Sequence, residues 1–156
     1  KQLKTKQELD HLKSKDQLFK TLQTYVKEDK AIFNQIGQDF IARQVSPSLF
    51  NDIIALINLN KGRYTYTDGK LILSNTENFK KMISLKEKEL VKGLDEKIAS
   101  LKTEKQKDVE TEEKDLNFIE SEIKGYEKLK ISLISGLKKV FDNMQAEEKV
   151  LNDYAI

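Results

Sequence analysis

The chain has 156 residues, 35% of them charged and 38% hydrophobic, with one proline and no cysteine. That length allows a real core and the balance suits long helices better than an α/β enzyme, while the lack of cysteine excludes disulfides, thiolate metal sites and a cysteine nucleophile. The 28 Lys and Arg interleave with 26 Asp and Glu for a net charge of +2, so the concentrated positive surface that nucleic-acid binding needs is missing.

From Glu8 to Gln44 apolar residues recur at Leu9, Leu12, Phe19, Leu22, Val26, Phe33, Ile36 and Phe40. Steps of 3, 4 or 7 mark a long helix over 8–44 with one buried stripe, and Asp16 and Asp29 sit near the seam where the step lengthens. Gly37 weakens this helix by roughly 1 kcal/mol relative to Ala.

A short helix over 47–59 follows, with Ser46 as cap and Pro47 at its first position, where the missing N–H is no loss. Leu49, Phe50, Ile53, Ile54, Leu56 and Ile57 make it apolar around most of its circumference. It is expected to be buried, as a plug across one end of a bundle, and to stop at Gly62 in the left-handed conformation. The run "IIALI" within it is the longest apolar stretch, far short of the ~20 residues that span a bilayer.

"RYTYTDGKLIL" then reads as a β-hairpin at about 63–74 with Asp68-Gly69 as a type I′ turn. Counting from the turn pairs Thr67 with Lys70, Tyr66 with Leu71, Thr65 with Ile72 and Tyr64 with Leu73. Tyr64, Tyr66, Leu71 and Leu73 share one face, and Thr65, Thr67, Lys70 and Ile72 the other. An isolated hairpin is marginal in water, so the Tyr/Leu face is expected to cover the bundle end. The competing reading has the hairpin receive a partner by strand addition or aromatic contact through Tyr64, Tyr66, Lys70 and Ile72.

Ser74 and Glu77 form a capping-box pattern opening a helix over 75–105, with Phe79, Met82, Ile83, Leu90, Leu94, Ile98 and Leu101 on its seam. The polar segment "KTEKQKDVETEEKD" carries Val109 as its one apolar residue. A last helix over 111–153 resumes the seam at Leu116, Ile119, Ile123, Tyr126, Leu133, Leu137, Val140, Met144 and Leu151. Steps of 3 and 4 give it a coiled-coil character, with Lys130 and Glu147 at the skipped seam sites. Folding back near 105–111 would match these two helices in length to the first. A straight rod of roughly 120 Å is the alternative and would need a second chain.

The elements amount to an all-α fold: an elongated three- to four-helix antiparallel bundle, up-and-down and spectrin-like, with a short buried helix and a β-hairpin insertion, in a single domain over 1–156. No nucleophile elbow, phosphate loop, dinucleotide fingerprint or EF-hand occurs. The lone histidine, His11, has no metal-ligand partners at useful spacing and reads as a surface residue. Glu110, Glu112 and Glu113, like Glu147 and Glu148, lie among lysines and read as solvated helix surface. Neither an enzyme nor a cofactor is expected. Gly93, Gly125 and Gly136 lie inside helices, where they permit close approach or a bend. Lys130 is a further candidate contact residue; it and Glu147, both on the seam, are either partly exposed where the bundle opens or set register as polar seam residues do. A cleft near Tyr126, Lys130 and Phe141 would suit a small-ligand carrier.

The segments "EDKAIFNQI" and "YEKLKISLISGLKKVFDNMQAEEKVLNDY", in a Lys/Glu-rich chain without cysteine, resemble the cell-wall-binding lipoprotein family of Gram-positive bacteria in spacing and vocabulary. The resemblance covers the helical segments and implies a lipid-anchored envelope protein with a helical-bundle fold, and no catalytic residues. The chain begins at Lys1, for which a cleaved signal peptide and a cloned fragment account equally well. The expectation is a non-enzymatic, extracytoplasmic surface protein that binds a cell-wall component or a protein and no nucleic acid. It would touch a membrane only through an upstream lipid anchor, and would be a monomer, with a homodimer as the alternative. A coiled-coil scaffold is the alternative, and an intracellular regulator of a partner helix is also compatible with the sequence.

Overall fold

The structure, a computed structural model, describes residues 6–46, 48–67, 70–107 and 113–155, with side chains from Gln17 onward except those of 66–71, 107–114 and 154–155. In chain order it comprises α1 (Lys6–Ala42), α2 (Leu49–Gly62), the strands β1 (Tyr64–Thr67) and β2 (Lys70–Leu73), α3 (Thr76–Lys107) and α4 (Glu113–Ala155). Each of α1 and α3 packs against both α2 and α4, so the helices are neighbours in a ring. Their directions alternate. Asn60 of α2 meets Asp29 of α1, while Gly37 of α1 lies against Ile53 of α2. Lys105 and Asp95 of α3 pair with Glu120 and Lys130 of α4. The all-α antiparallel bundle expected from the apolar seams is the fold that forms, and the chain folds back between α3 and α4 instead of continuing as one rod. The turn expected at 105–111 lies in part outside the described residues.

The main core joins Phe33, Phe40, Leu49, Ile53, Phe79 and Leu133 with their seam neighbours from all four helices. Each such side chain, fully buried, contributes roughly 1.5–3 kcal/mol relative to exposure. A second, smaller cluster of Ile98, Ile119 and Ile123 lies where α3 and α4 continue beyond the end of α1. Close approach of α1 to α4 depends on Gly136, where a Cβ would lie 3.2 Å from Cγ2 of Ile32.

Several local expectations are corrected. The α1 seam passes through Leu18, which is buried, whereas Phe19 is partly exposed. Met82, read as a seam residue of α3, is also partly exposed. Helix α2 is no end plug. It forms the short fourth wall of the ring, with Leu49, Ile53, Leu56 and Ile57 inward and Phe50 and Ile54 outward. It begins at Leu49 with Ser48 in the N-cap position and without a side-chain capping bond; the expected Pro47 start lies outside the described residues. Gly62 belongs to the helix, and the C-cap is Arg63 in right-handed conformation, so no left-handed glycine ends α2. The capping box does not form. Asn75 takes a positive φ of 58° and α3 starts after it, while Ser74 donates its N–H to the carbonyl of Arg63.

The end of α1 is a Schellman motif. The N–H of Val45 bonds the carbonyl of Phe40 at 3.1 Å and that of Gln44 the carbonyl of Ile41 at 2.9 Å. Gln44 holds the left-handed position at φ 57°, where glycine is the usual residue.

Candidate functional site: a buried polar junction under the hairpin

The hairpin register is Tyr64↔Leu73, Thr65↔Ile72, Tyr66↔Leu71 and Thr67↔Lys70, as the alternation predicts; the turn residues Asp68 and Gly69 lie outside the described residues. Tyr64 and Leu73 are half-buried, whereas Thr65 and Ile72 are exposed. Thr65 donates its hydroxyl to the carbonyl of Ile72 at 3.2 Å across that outer face.

Beneath the inner face lies a continuous polar network that ties α1, α2, β1, α3 and α4 together. Arg63, between α2 and β1, is fully buried. It donates from Nε and Nη2 to Oδ1 of Asn60 at 3.1 and 2.7 Å, and from Nη1 to Oγ1 of Thr76 at 3.1 Å. Its Nη2 also meets Oε2 of Glu147 on α4 at 2.9 Å. The Tyr64 hydroxyl donates to the other oxygen of Glu147 at 2.5 Å. The Asn60 amide extends the chain, donating to Oδ2 of Asp29 on α1 at 3.0 Å, while Asn143 of α4 donates to Oδ1 of Asp29 at 2.8 Å. The guanidinium carbon of Arg63 stands 5.0 Å from the ring centre of Phe79 and 5.5 Å from that of Tyr64. A planar five-donor group between aromatic faces is a task for arginine that lysine does not match.

Asp29, Asn60, Arg63, Asn143 and Glu147 are the buried polar or charged side chains among the described residues, and all belong to this network. Burial raises the Asp29 carboxyl to about 6, against hydrogen bonds from Asn143 and Asn60 that lower it; Glu147 raises it further and Arg63 lowers it. The Tyr64 phenol is raised well above its ordinary range by burial and by its bond to Glu147. It therefore stays a donor at physiological pH.

Of the candidate contact residues, Tyr64 is committed to this network, and Ile72 faces outward on the hairpin. The strands place Lys70 beside Thr67 and Tyr66 beside Leu71; the side chains of Tyr66 and Lys70 lie outside the described residues. Lys130 stands apart on the α3–α4 flank, where its ammonium meets Asp95 at 2.8 Å. Tyr126 and Phe141 are half-buried against the core. An open groove of about 720 Å³ lies along α3, with Val91, Ala99 and Ile134 as its apolar lining. The side chains of His11, Glu110, Glu112 and Glu113 lie outside the described residues.

Glu147 corrects the reading that grouped it with Glu148 as solvated surface, because it is wholly buried and ion-paired. The signal was its place on an apolar seam, shared by Asp29: a carboxylate there has either to leave the core or to find a partner inside it. Asn60, Arg63 and Asn143 had no such signal.

The fold and junction define a class, an all-α antiparallel bundle with a hairpin locked onto it by buried polar groups. No protein-family model matches the chain, and neither a curated protein nor a solved structure does. Among the described residues no helix is long and apolar enough to cross a membrane.

Proposed function

We propose that the chain is a non-enzymatic helical bundle that binds another macromolecule, a cell-wall component or a protein, at a bacterial cell envelope. The observation that carries this reading is the division between inside and outside. The buried polar groups are consumed by one another, while large apolar side chains such as Phe50 at 59% and Ile131 at 67% exposure face outward. Buried groups paired in this way offer no access to a substrate, and exposed apolar side chains favour contact with a surface. Ile41 of α1 and Phe50 and Ile54 of the neighbouring α2 are all exposed. The resemblance of the helical segments to envelope lipoproteins supports the extracytoplasmic location. Against nucleic acid stand the net charge of +2 and the pairing of lysines with acids along the flanks.

Cosedimentation of the purified chain with bacterial cell-wall sacculi, beside a Phe50→Ser/Ile54→Ser variant of equal stability, tests the reading. Binding by the parent and at least tenfold weaker binding by the variant are expected. Equal recovery of both, or of neither, would sink the proposed surface. The scaffold alternative draws on the α3–α4 extension beyond α1, where Phe118 is exposed beside the small cluster of Ile98, Ile119 and Ile123. Light scattering over a concentration series separates the two, since a scaffold associates with rising concentration and the surface-binding reading expects a monomer.

A further inference from the structure

The charges sealed into the junction do not balance. Arg63 brings one cation, and Asp29 and Glu147 bring two carboxylates, with all three residues at 0% exposure. Arg63 bonds Glu147 directly but is linked to Asp29 through the Asn60 amide. Asp29 is held by two amide donors, Asn60 and Asn143, which solvate a carboxylate without neutralising it. A buried charge lacking its own counter-charge is costly.

We propose that the junction is a proton-dependent latch, in which Asp29 takes up one proton as the medium acidifies and, once neutral, fastens α1 more firmly to α4 and to the hairpin end of α2. Asn60 goes on donating to Oδ2 of the neutral carboxyl, while at Oδ1 the proton takes the place of the Asn143 donation. The new O–H can be accepted by the carbonyl oxygen of Asn143 after a turn of its amide.

The charged and titratable groups facing Asp29 come from each neighbouring element. Helix α4 contributes Glu147, whose negative charge favours the proton, and the segment after α2 contributes Arg63, whose positive charge opposes it. Strand β1 brings the Tyr64 phenol, which stays neutral and is bound to Glu147. Among the described residues α3 contributes the uncharged Thr76, on Arg63. On α1 itself, the adjacent Glu28 is turned to Lys139 of α4, at 3.6 Å.

The direction of the effect follows from the two states. Asp29 titrates at about 6 when folded, against 3.8 as an ordinary aspartate. Between those values the folded state binds more protons than the unfolded state, so acidification favours folding and a rise through about 6 removes the gain. About two pH units correspond to roughly a hundredfold in the folding equilibrium. The hairpin end is thus tighter in mildly acidic surroundings and looser in neutral ones.

The test follows the Asp29 carboxyl carbon by NMR titration of the full chain and, in parallel, hydrogen exchange of the β1–β2 amides at pH 7.5 and 5.0, corrected for intrinsic exchange. A midpoint near 6 is expected, with hairpin protection increased by about tenfold at the lower pH. Asp29→Asn, which carries no charge, is expected to hold high protection at both. A midpoint near 4, or the same pH dependence in the variant, overturns the latch. Should the variant fail to fold, the titration midpoint in the parent chain decides alone.

Discussion

Arg63 is the hub of the junction, and its removal offers a sharp test of how the hairpin is held. Arg63→Met keeps much of the side-chain volume but takes away the cation. Glu147 is then left with the Tyr64 hydroxyl, Oδ1 of Asn60 loses both of its donors, and two buried carboxylates remain in the junction without its cation. Removing one partner of a buried pair costs roughly 3–5 kcal/mol, a large share of the ~5–15 kcal/mol that holds a domain together. Glu147→Met strands the guanidinium instead, but it also removes one of two like charges, so its cost falls toward the lower end of that range. The double variant leaves no unpaired ion from this pair and is expected to cost roughly 2–3 kcal/mol less than the sum of the singles. Urea denaturation followed by far-UV circular dichroism at neutral pH reads these differences as midpoint shifts at constant slope. Single costs below about 1 kcal/mol that simply add would place the pair in solvent, as surface ion pairs behave, and would refute the reasoning.

Four other outcomes follow from local geometry. Tyr64→Phe deletes a hydroxyl bonded to a carboxylate and should cost roughly 1.5–3 kcal/mol by the same urea assay; no measurable loss would detach the hairpin from α4. Gln44→Gly relieves a positive φ in the Schellman motif and should raise stability by roughly 0.5–1 kcal/mol, seen as a higher melting temperature. Gly93→Ala meets nothing within 4 Å and should gain roughly 0.5–1 kcal/mol from helix propensity. At Gly136→Ala the new methyl presses on Ile32, so that gain should be cancelled or reversed; equal shifts in the two variants would contradict the close α1–α4 approach.

The hairpin was legible because the pattern that defines it is local. An Asp-Gly pair between alternating residues fixes register within a few positions, and the structure pairs Tyr64 with Leu73 as counted. The long helices were legible for a related reason, since a seam of apolar residues at steps of 3 and 4 repeats over many turns and survives single errors. Choices between adjacent residues were less so. Leu18 and Phe19 both fit a helical stripe, and which one is buried depends on where the neighbouring elements lie. Helix ends also escaped. Ser46 and Ser74 both look like caps, yet the chain path through Gln44 and Asn75, both at positive φ, moved the starts to Leu49 and Thr76.

By itself the sequence determined the all-α class, the helical seams and the pairing of the hairpin, because each is a periodic signal carried by neighbours in the chain. Tertiary structure alone decided that α2 is a wall of the bundle, that Phe50 and Ile54 face outward, and that Glu147 is buried. It also brought Asp29, Asn60, Arg63, Asn143 and Glu147 into one network. Asp29 and Asn143 are 114 positions apart, and Arg63 and Glu147 are 84 apart. No local pattern encodes such a meeting. Its physical reason is that a polar group on a buried seam must be satisfied by whatever the fold sets opposite it.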